Sequence, residues 1–217
     1  MKINNIDVVD WSLPVLAKEH DVLNKTYSNK NEFDKYESFF KLKEAIDYIK
    51  SDDNPTTLLD VGCGAGWQAV YLNKKGLLNN LKYTGADLSN DMCILAKQNY
   101  KDGEYYSIDI IKEKIKEKYD IVMESAVLEL VHDWEFALRN MMTASNKWLV
   151  FHRLFFTEKE MKYEQTSTYL NLPDIRIHIS LVKLNEILKE QNFKIVKSDK
   201  WIVSDAYNMG TFVAKRS

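Results

Sequence analysis

No apolar run in the chain approaches the ~20 residues a membrane-spanning helix needs, so no membrane partner is expected. Met1 to Asp10 alternates apolar with charged side chains and lacks the apolar core of a secretory signal. Cysteine is scarce: Cys63 and Cys93 have neither the number nor the spacing of a disulfide framework or a zinc site. A reduced, cytoplasmic setting is therefore expected. Charge of one sign is also lacking. With a formal net charge of -2 there is no basic field to gather a polyanion, and no nucleic-acid partner is expected. No cluster of acids and histidines has metal-ligand spacing, so no metal is expected. Internal repeats, low-complexity segments and any signal of oligomeric state are absent too.

What is present is a globular composition, 45% hydrophobic and 29% charged over 217 residues, enough for one domain with a real core. Residues 1–30 are irregular in pattern. From Phe33 to Lys50 apolar residues recur at helical spacing, and Ser51–Pro55 ends the run. Short apolar runs then alternate with helical stretches. Strands are expected at Thr57–Val61, Lys82–Ala86, Tyr105–Ile108, Tyr119–Met123, Trp148–His152, Phe193–Ser198 and Thr211–Lys215. Helices are expected near Gly66–Lys75, Asn90–Asn99, Asp133–Thr143 and Ser180–Glu190. This alternation implies right-handed crossovers and a doubly wound, mostly parallel α/β sheet with helices on both faces. Ligands of such sheets bind beyond the carboxyl ends of the strands. Thr157–Ile179 fits the order poorly and reads as an insertion.

Between the first strand and its helix lies Asp60-Val61-Gly62-Cys63-Gly64-Ala65-Gly66. Glycine permits positive φ and close approach of a ligand to the backbone, and the helix that follows presents unpaired N–H groups. Gly66 comes one residue too early for the dinucleotide spacing G-x-G-x-x-G. Asp60 would repel a pyrophosphate but suits a ligand bearing an ammonium and a sulfonium. The segment Leu58–Gly66 resembles the first motif of the class I S-adenosylmethionine-dependent methyltransferases, and the resemblance extends to about Val150. It implies a seven-stranded Rossmann-like fold, with S-adenosyl-L-methionine as cofactor.

The resemblance also implies site residues. Asp60, Gly62, Cys63, Gly64 and Gly66 form the loop. Asp87, an acid at a strand end about 20 residues further on, takes the ribose hydroxyls, with Leu88 and Met92 packing near the ribose and adenine. Asp109 meets the adenine amino group and Ile110 packs on its ring. Glu124, Ser125 and Leu128, in Tyr119–Asp133, line the floor under the methionine half. Many small-molecule members carry Glu-His where this chain has Glu129-Leu130, so the family's histidine is not carried onto His132.

Methyl transfer from a sulfonium is an in-line displacement that mainly requires a held acceptor. A base is needed only for a nucleophile with a proton of high pKa. His152, read as following the fifth strand, and His132, after the fourth, are candidates for that base. Arg153, His178 and Tyr36 are candidates for binding the acceptor; nothing recommends His20. Trp11, Tyr27, Phe33, Tyr36, Phe39, Phe40, Phe155, Phe156, Tyr163 and Tyr169 form a possible lid set. Of these Phe39 and Phe40 are expected to pack in the core, and Tyr27 and Tyr36 to reach the cofactor. Lys112–Lys118 is expected to be a solvated surface.

The expected organisation is a single methyltransferase domain over 1–217: a helical lid (1–50), a cofactor-binding core (51–153), an acceptor-shaping insertion (154–179) and a C-terminal helix with strands (180–217). The expected activity is methylation of a small-molecule or glycan O or N acceptor. An RNA or protein methyltransferase, or a non-catalytic S-adenosylmethionine-binding protein, are the alternatives.

Overall fold

The computed structural model describes residues 2–3, 6–7, 9–29, 33–168, 170–204 and 207–217. In chain order it contains β1 (Lys2–Ile3), β2 (Ile6–Asp7), α1 (Pro14–Asn29), α2 (Glu37–Asp52), β3 (Thr57–Val61), α3 (Trp67–Lys74), β4 (Lys82–Asp87), α4 (Asn90–Asn99), β5 (Glu104–Ser107) and β6 (Tyr119–Ser125). These are followed by α5 (Trp134–Ala144), β7 (Ser145–Thr157), β8 (Lys162–Ser167), β9 (Pro173–Ser180), α6 (Leu181–Lys189), β10 (Phe193–Ser204) and β11 (Tyr207–Arg216). Two compact units segregate: Trp11–Asp109, and Met1–Asp10 with Ile110–Ser217.

In the Trp11–Asp109 unit, β3, β4 and β5 are parallel, with Val61 opposite Ala86 and Asp87 opposite Ser107. Parallel pairing follows from the helical crossovers α3 and α4. Leu58, Leu59, Asp60 and Val61 are all buried, the continuous burial of a strand covered on both faces. The helix expected from Phe33 is interrupted: Phe33–Lys35 is a 3-10 turn, Tyr36 is extended, and α2 starts at Glu37. Helical periodicity reads through a cap because it counts apolar positions and not backbone angles. The expected irregularity of residues 1–30 is corrected by α1. Its proline sits at the first helical position, where no N–H is needed. Its inward residues are Leu16, Ala17 and the acid Asp21, a mixed face that no apolar stripe betrays.

In the other unit, β6 and β7 are parallel and β7, β11 and β10 are successively antiparallel. β7 continues five residues past His152, because β11 pairs with it as far as Phe156 and β9 pairs with Phe156 and Thr157. β10 and β11 outrun their expected lengths as well, since hairpin pairing satisfies the backbone even of polar residues such as Asp199 and Lys200. The segment read as an insertion takes the form of an antiparallel β8–β9 pair, Lys162 opposite His178. Asp133 and Ser180 cap α5 and α6 by accepting from Phe136 N and Lys183 N. Parallel strands joined through helices, β3 to β5 in one unit and β6 to β7 in the other, bear out the mostly parallel α/β class expected from the sequence.

Candidate active site

The glycine loop leaves β3 at Val61 and folds back along β4. Gly62 N and Cys63 N donate to Ala86 O at 2.7 and 3.0 Å, and Gly66 N donates to Cys63 O at 3.0 Å. Gly64 N donates to Asp87 Oδ2 at 2.9 Å. The loop's own amides are thus engaged within the fold at these four residues, because the loop closes onto its neighbouring strand. Gly64 and Gly66 have φ of +53° and +80°. A Cβ on Gly66 would sit 3.0 Å from Ala96 Cα and Cβ, so this glycine lets the start of α3 pack on α4.

Asp87 joins the loop to the strand end. Besides the bond from Gly64, its Oδ1 accepts from Ser89 N at 2.9 Å. Burial raises its pKa, and the Ser89, Gly64 and Leu88 amides pull against that shift. A carboxylate has about four acceptor sites, so lone pairs remain for hydroxyl donors. A ligand with paired hydroxyls therefore fits here better than a polyphosphate, which would meet a carboxylate and an engaged backbone. Leu88, beside Asp87, is 43% exposed, whereas Met92 is buried in the first turn of α4. Asp60 is fully buried, and Tyr83 donates to its Oδ2 at 2.6 Å. Cys63 is buried; a hydrogen bond with Cys93, then burial, holds its thiol well above the usual range. Asp109 is half-buried after β5. Tyr36 is 39% exposed and precedes α2 without capping it through its side chain.

In the Ile110–Ser217 unit, Glu124, Ser125 and Leu128 are buried at the carboxyl end of β6, and Ile110 is buried as well. Glu124 Oε2 accepts from Val127 N and Leu128 N at 2.9 and 3.4 Å. Burial, then the neighbouring Glu129, pushes Glu124 well above the carboxylate range. Glu129 is pushed up to about 7 by burial, against the pull of Arg153 and Arg176. His132 is exposed on the following turn.

His152 lies inside β7 and not at its end; its Nδ1 is 2.9 Å from Thr211 Oγ1. Burial, then Arg153, holds its pKa well below that of free histidine, so the ring is neutral. Arg153 has φ of 56°, a left-handed residue within a long strand. His178 is buried on β9, its Nε2 3.1 Å from Glu164 Oε2 and its ring edge-on to Phe155.

The aromatic set divides. Phe33, Phe39 and Tyr71 pack together, with Phe33–Phe39 and Phe39–Tyr71 centroids 4.7 and 4.8 Å apart. Phe40, expected in the core, is 50% exposed because it falls on the outer face of α2. Phe155 and Phe156 are buried, and Tyr163 is exposed. Trp11 is half-buried, Tyr169 lies outside the described residues, and so does the side chain of Tyr27. Lys112–Lys118 is exposed apart from the buried Ile115.

Sequence reasoning missed two residues at the loop. His20 on α1 lies against Gly64. Asn99 Nδ2 donates both to Asp21 Oδ1 at 2.8 Å and to Ala65 O at 2.9 Å. No local signal marks either contact, since the partners are far apart in sequence.

Comparison with known proteins agrees with this geometry. Residues 33–198 match the family described as "Methyltransferase domain". A malonyl-[acyl-carrier protein] O-methyltransferase of Bacillus anthracis is 28% identical over 102 residues, 46% of this chain and 37% of that protein. A putative methyltransferase of invertebrate iridescent virus 6, 235L, is 24% identical over 173 residues, 78% of this chain and 55% of that protein. The matches thus span between about a third and just over half of these relatives' lengths. The solved structure of a SAM-bound amino pentose methyltransferase from Micromonospora echinaspora superposes with a TM-score of 0.64 at 13% identity, covering 88% of this chain and 97% of that one. At that identity the likeness shows the fold. With the family match covering residues 33–198 of 217, the chain belongs to the methyltransferase-domain family, and what it carries is a class I S-adenosylmethionine-dependent methyltransferase domain.

Proposed function

We propose that the chain methylates an oxygen or nitrogen atom of a small-molecule or glycan acceptor. The observation that carries the cofactor part of this reading is Asp87: a half-buried carboxylate bonded to the glycine loop, with acceptor capacity left for the two ribose hydroxyls of S-adenosylmethionine. The cofactor supplies a methyl group on a sulfonium, whose departure as a thioether needs no proton. The work left to the chain's residues is to bind, to orient and to exclude water. The roles proposed for Leu88, Met92, Asp109, Ile110, Glu124, Ser125 and Leu128 in cofactor contact, and for Arg153, His178 and Tyr36 in acceptor contact, belong to the same reading.

An alcohol acceptor would need a base. His132, exposed, and His152, neutral and bonded to Thr211, are the histidines proposed for it. A small-molecule acceptor is supported by the amino pentose methyltransferase among the structures that share the fold.

Asp87→Ala tests the central claim. It should abolish S-adenosylhomocysteine binding in calorimetry while the variant stays folded by circular dichroism. Unchanged affinity would remove the ribose assignment.

A further inference from the structure

His20 is brought to the glycine loop by a specific bracket. A Cβ on Gly64 would stand 2.9 Å from His20 Cε1, and 3.5 and 3.6 Å from Nδ1 and Nε2, so the imidazole lies against the bare face of this glycine. The next residue, Asp21, is 4% exposed and accepts from Asn99 Nδ2, the same nitrogen that donates to Ala65 O in the loop. Lys25 pairs with Asp21 at 2.5 Å. One side-chain amide thus ties α1 to the loop beside the imidazole.

The loop's own donors supply a second argument. Gly62, Cys63, Gly64 and Gly66 have their N–H groups engaged by Ala86 O, Asp87 Oδ2 and Cys63 O. An amino-acid carboxylate laid on this loop cannot take its hydrogen bonds from those four groups, and burying it with too few donors is costly. An imidazole N–H is the donor that α1 adds.

We infer that His20 is a cofactor-contacting residue that donates a hydrogen bond to the amino-acid carboxylate of S-adenosylmethionine bound over the glycine loop, with α1 as its cover. This rests on the cofactor reading given above.

The test is calorimetric and uses two probes: S-adenosylhomocysteine, and 5′-methylthioadenosine, which lacks the amino acid. His20→Ala should weaken S-adenosylhomocysteine about tenfold or more, as expected for a hydrogen bond to a charged group. It should leave 5′-methylthioadenosine within about twofold, and His20→Gln, which keeps an N–H donor, should recover part of the loss. An equal loss for both probes would make α1 a cover without a carboxylate contact and overturn the assignment. So would no loss for either. If the wild type binds S-adenosylhomocysteine and Asp87→Ala abolishes that binding while His20→Ala is inert, His20 alone is wrong. If the wild type binds neither probe, the cofactor reading itself fails, and this inference with it.

Discussion

Asp60 lies one residue before the end of β3 and Asp87 ends the neighbouring β4, and they differ in what their carboxylates touch. Asp87 bonds to backbone amides and stays open to further donors, whereas Asp60 is sealed in with the Tyr83 hydroxyl on its Oδ2. In the sequence Asp60 reads as electrostatically compatible with a cationic ligand; the structure adds a concrete partner, Tyr83. Burial, then the Asp60 charge, holds the Tyr83 phenol well above its usual range, so it remains the donor. Tyr83→Phe leaves a buried carboxylate oxygen without that donor. It should cost about 1–3 kcal/mol of stability, read by thermal unfolding. A melt indistinguishable from wild type would mean that Asp60 is held adequately by its other contacts. Asp87 was legible because its distance from the loop is local and patterned. Asn99 was not, because its partner Asp21 lies 78 residues away.

Elements were legible where packing and local pattern agree. β3, β4 and α4 are recovered nearly to the residue, since continuous apolar strands and a serine N-cap are encoded within a few neighbours. α1 was lost because its inner face is anchored by Asp21 and not by an apolar stripe. β7 was cut short because its extension depends on strands that arrive later in the chain. The packing of α3 on α4 depends on Gly66, whose φ and neighbours both exclude a side chain. Gly66→Ala should therefore lower the melting temperature and weaken S-adenosylhomocysteine binding together, because the loop and the start of α3 must shift away from Ala96. Wild-type values in both measurements would show that the contact relaxes freely.

At the scale of the whole molecule, buried ionisable groups make stability depend on pH. Glu129 titrates near 7 in the folded chain. Between the ordinary carboxylate pKa and that value, the folded state holds a proton that the unfolded state has released. Its contribution to stability therefore falls as pH rises through this window and is level above it. Glu124, also raised, acts in the same sense. His152, lowered by burial, acts in the opposite one, adding stability as pH rises towards the ordinary histidine value. Comparing Glu129→Gln with wild type isolates the first effect. Relative to wild type, the variant should gain on the order of 2–3 kcal/mol between pH 5 and pH 8 in urea unfolding. A constant difference across that range would show that Glu129 does not titrate there. Among the described residues no helix is long and apolar enough to cross a membrane.

Short-range patterns imposed by backbone geometry, namely the glycine spacing, the acid after it and the apolar alternation, were enough for the family, the cofactor class and the order of strands β3 to β7 with their helices, but not for α1, β8 or β9. The tertiary structure decided which loop amides are already engaged, which histidine is buried neutral, and which acids share a buried space. Those outcomes depend on groups far apart in the chain meeting in a low-dielectric interior, where desolvation and a single hydrogen-bond partner set the state of each side chain. The placement of His20 against Gly64 is of this second kind.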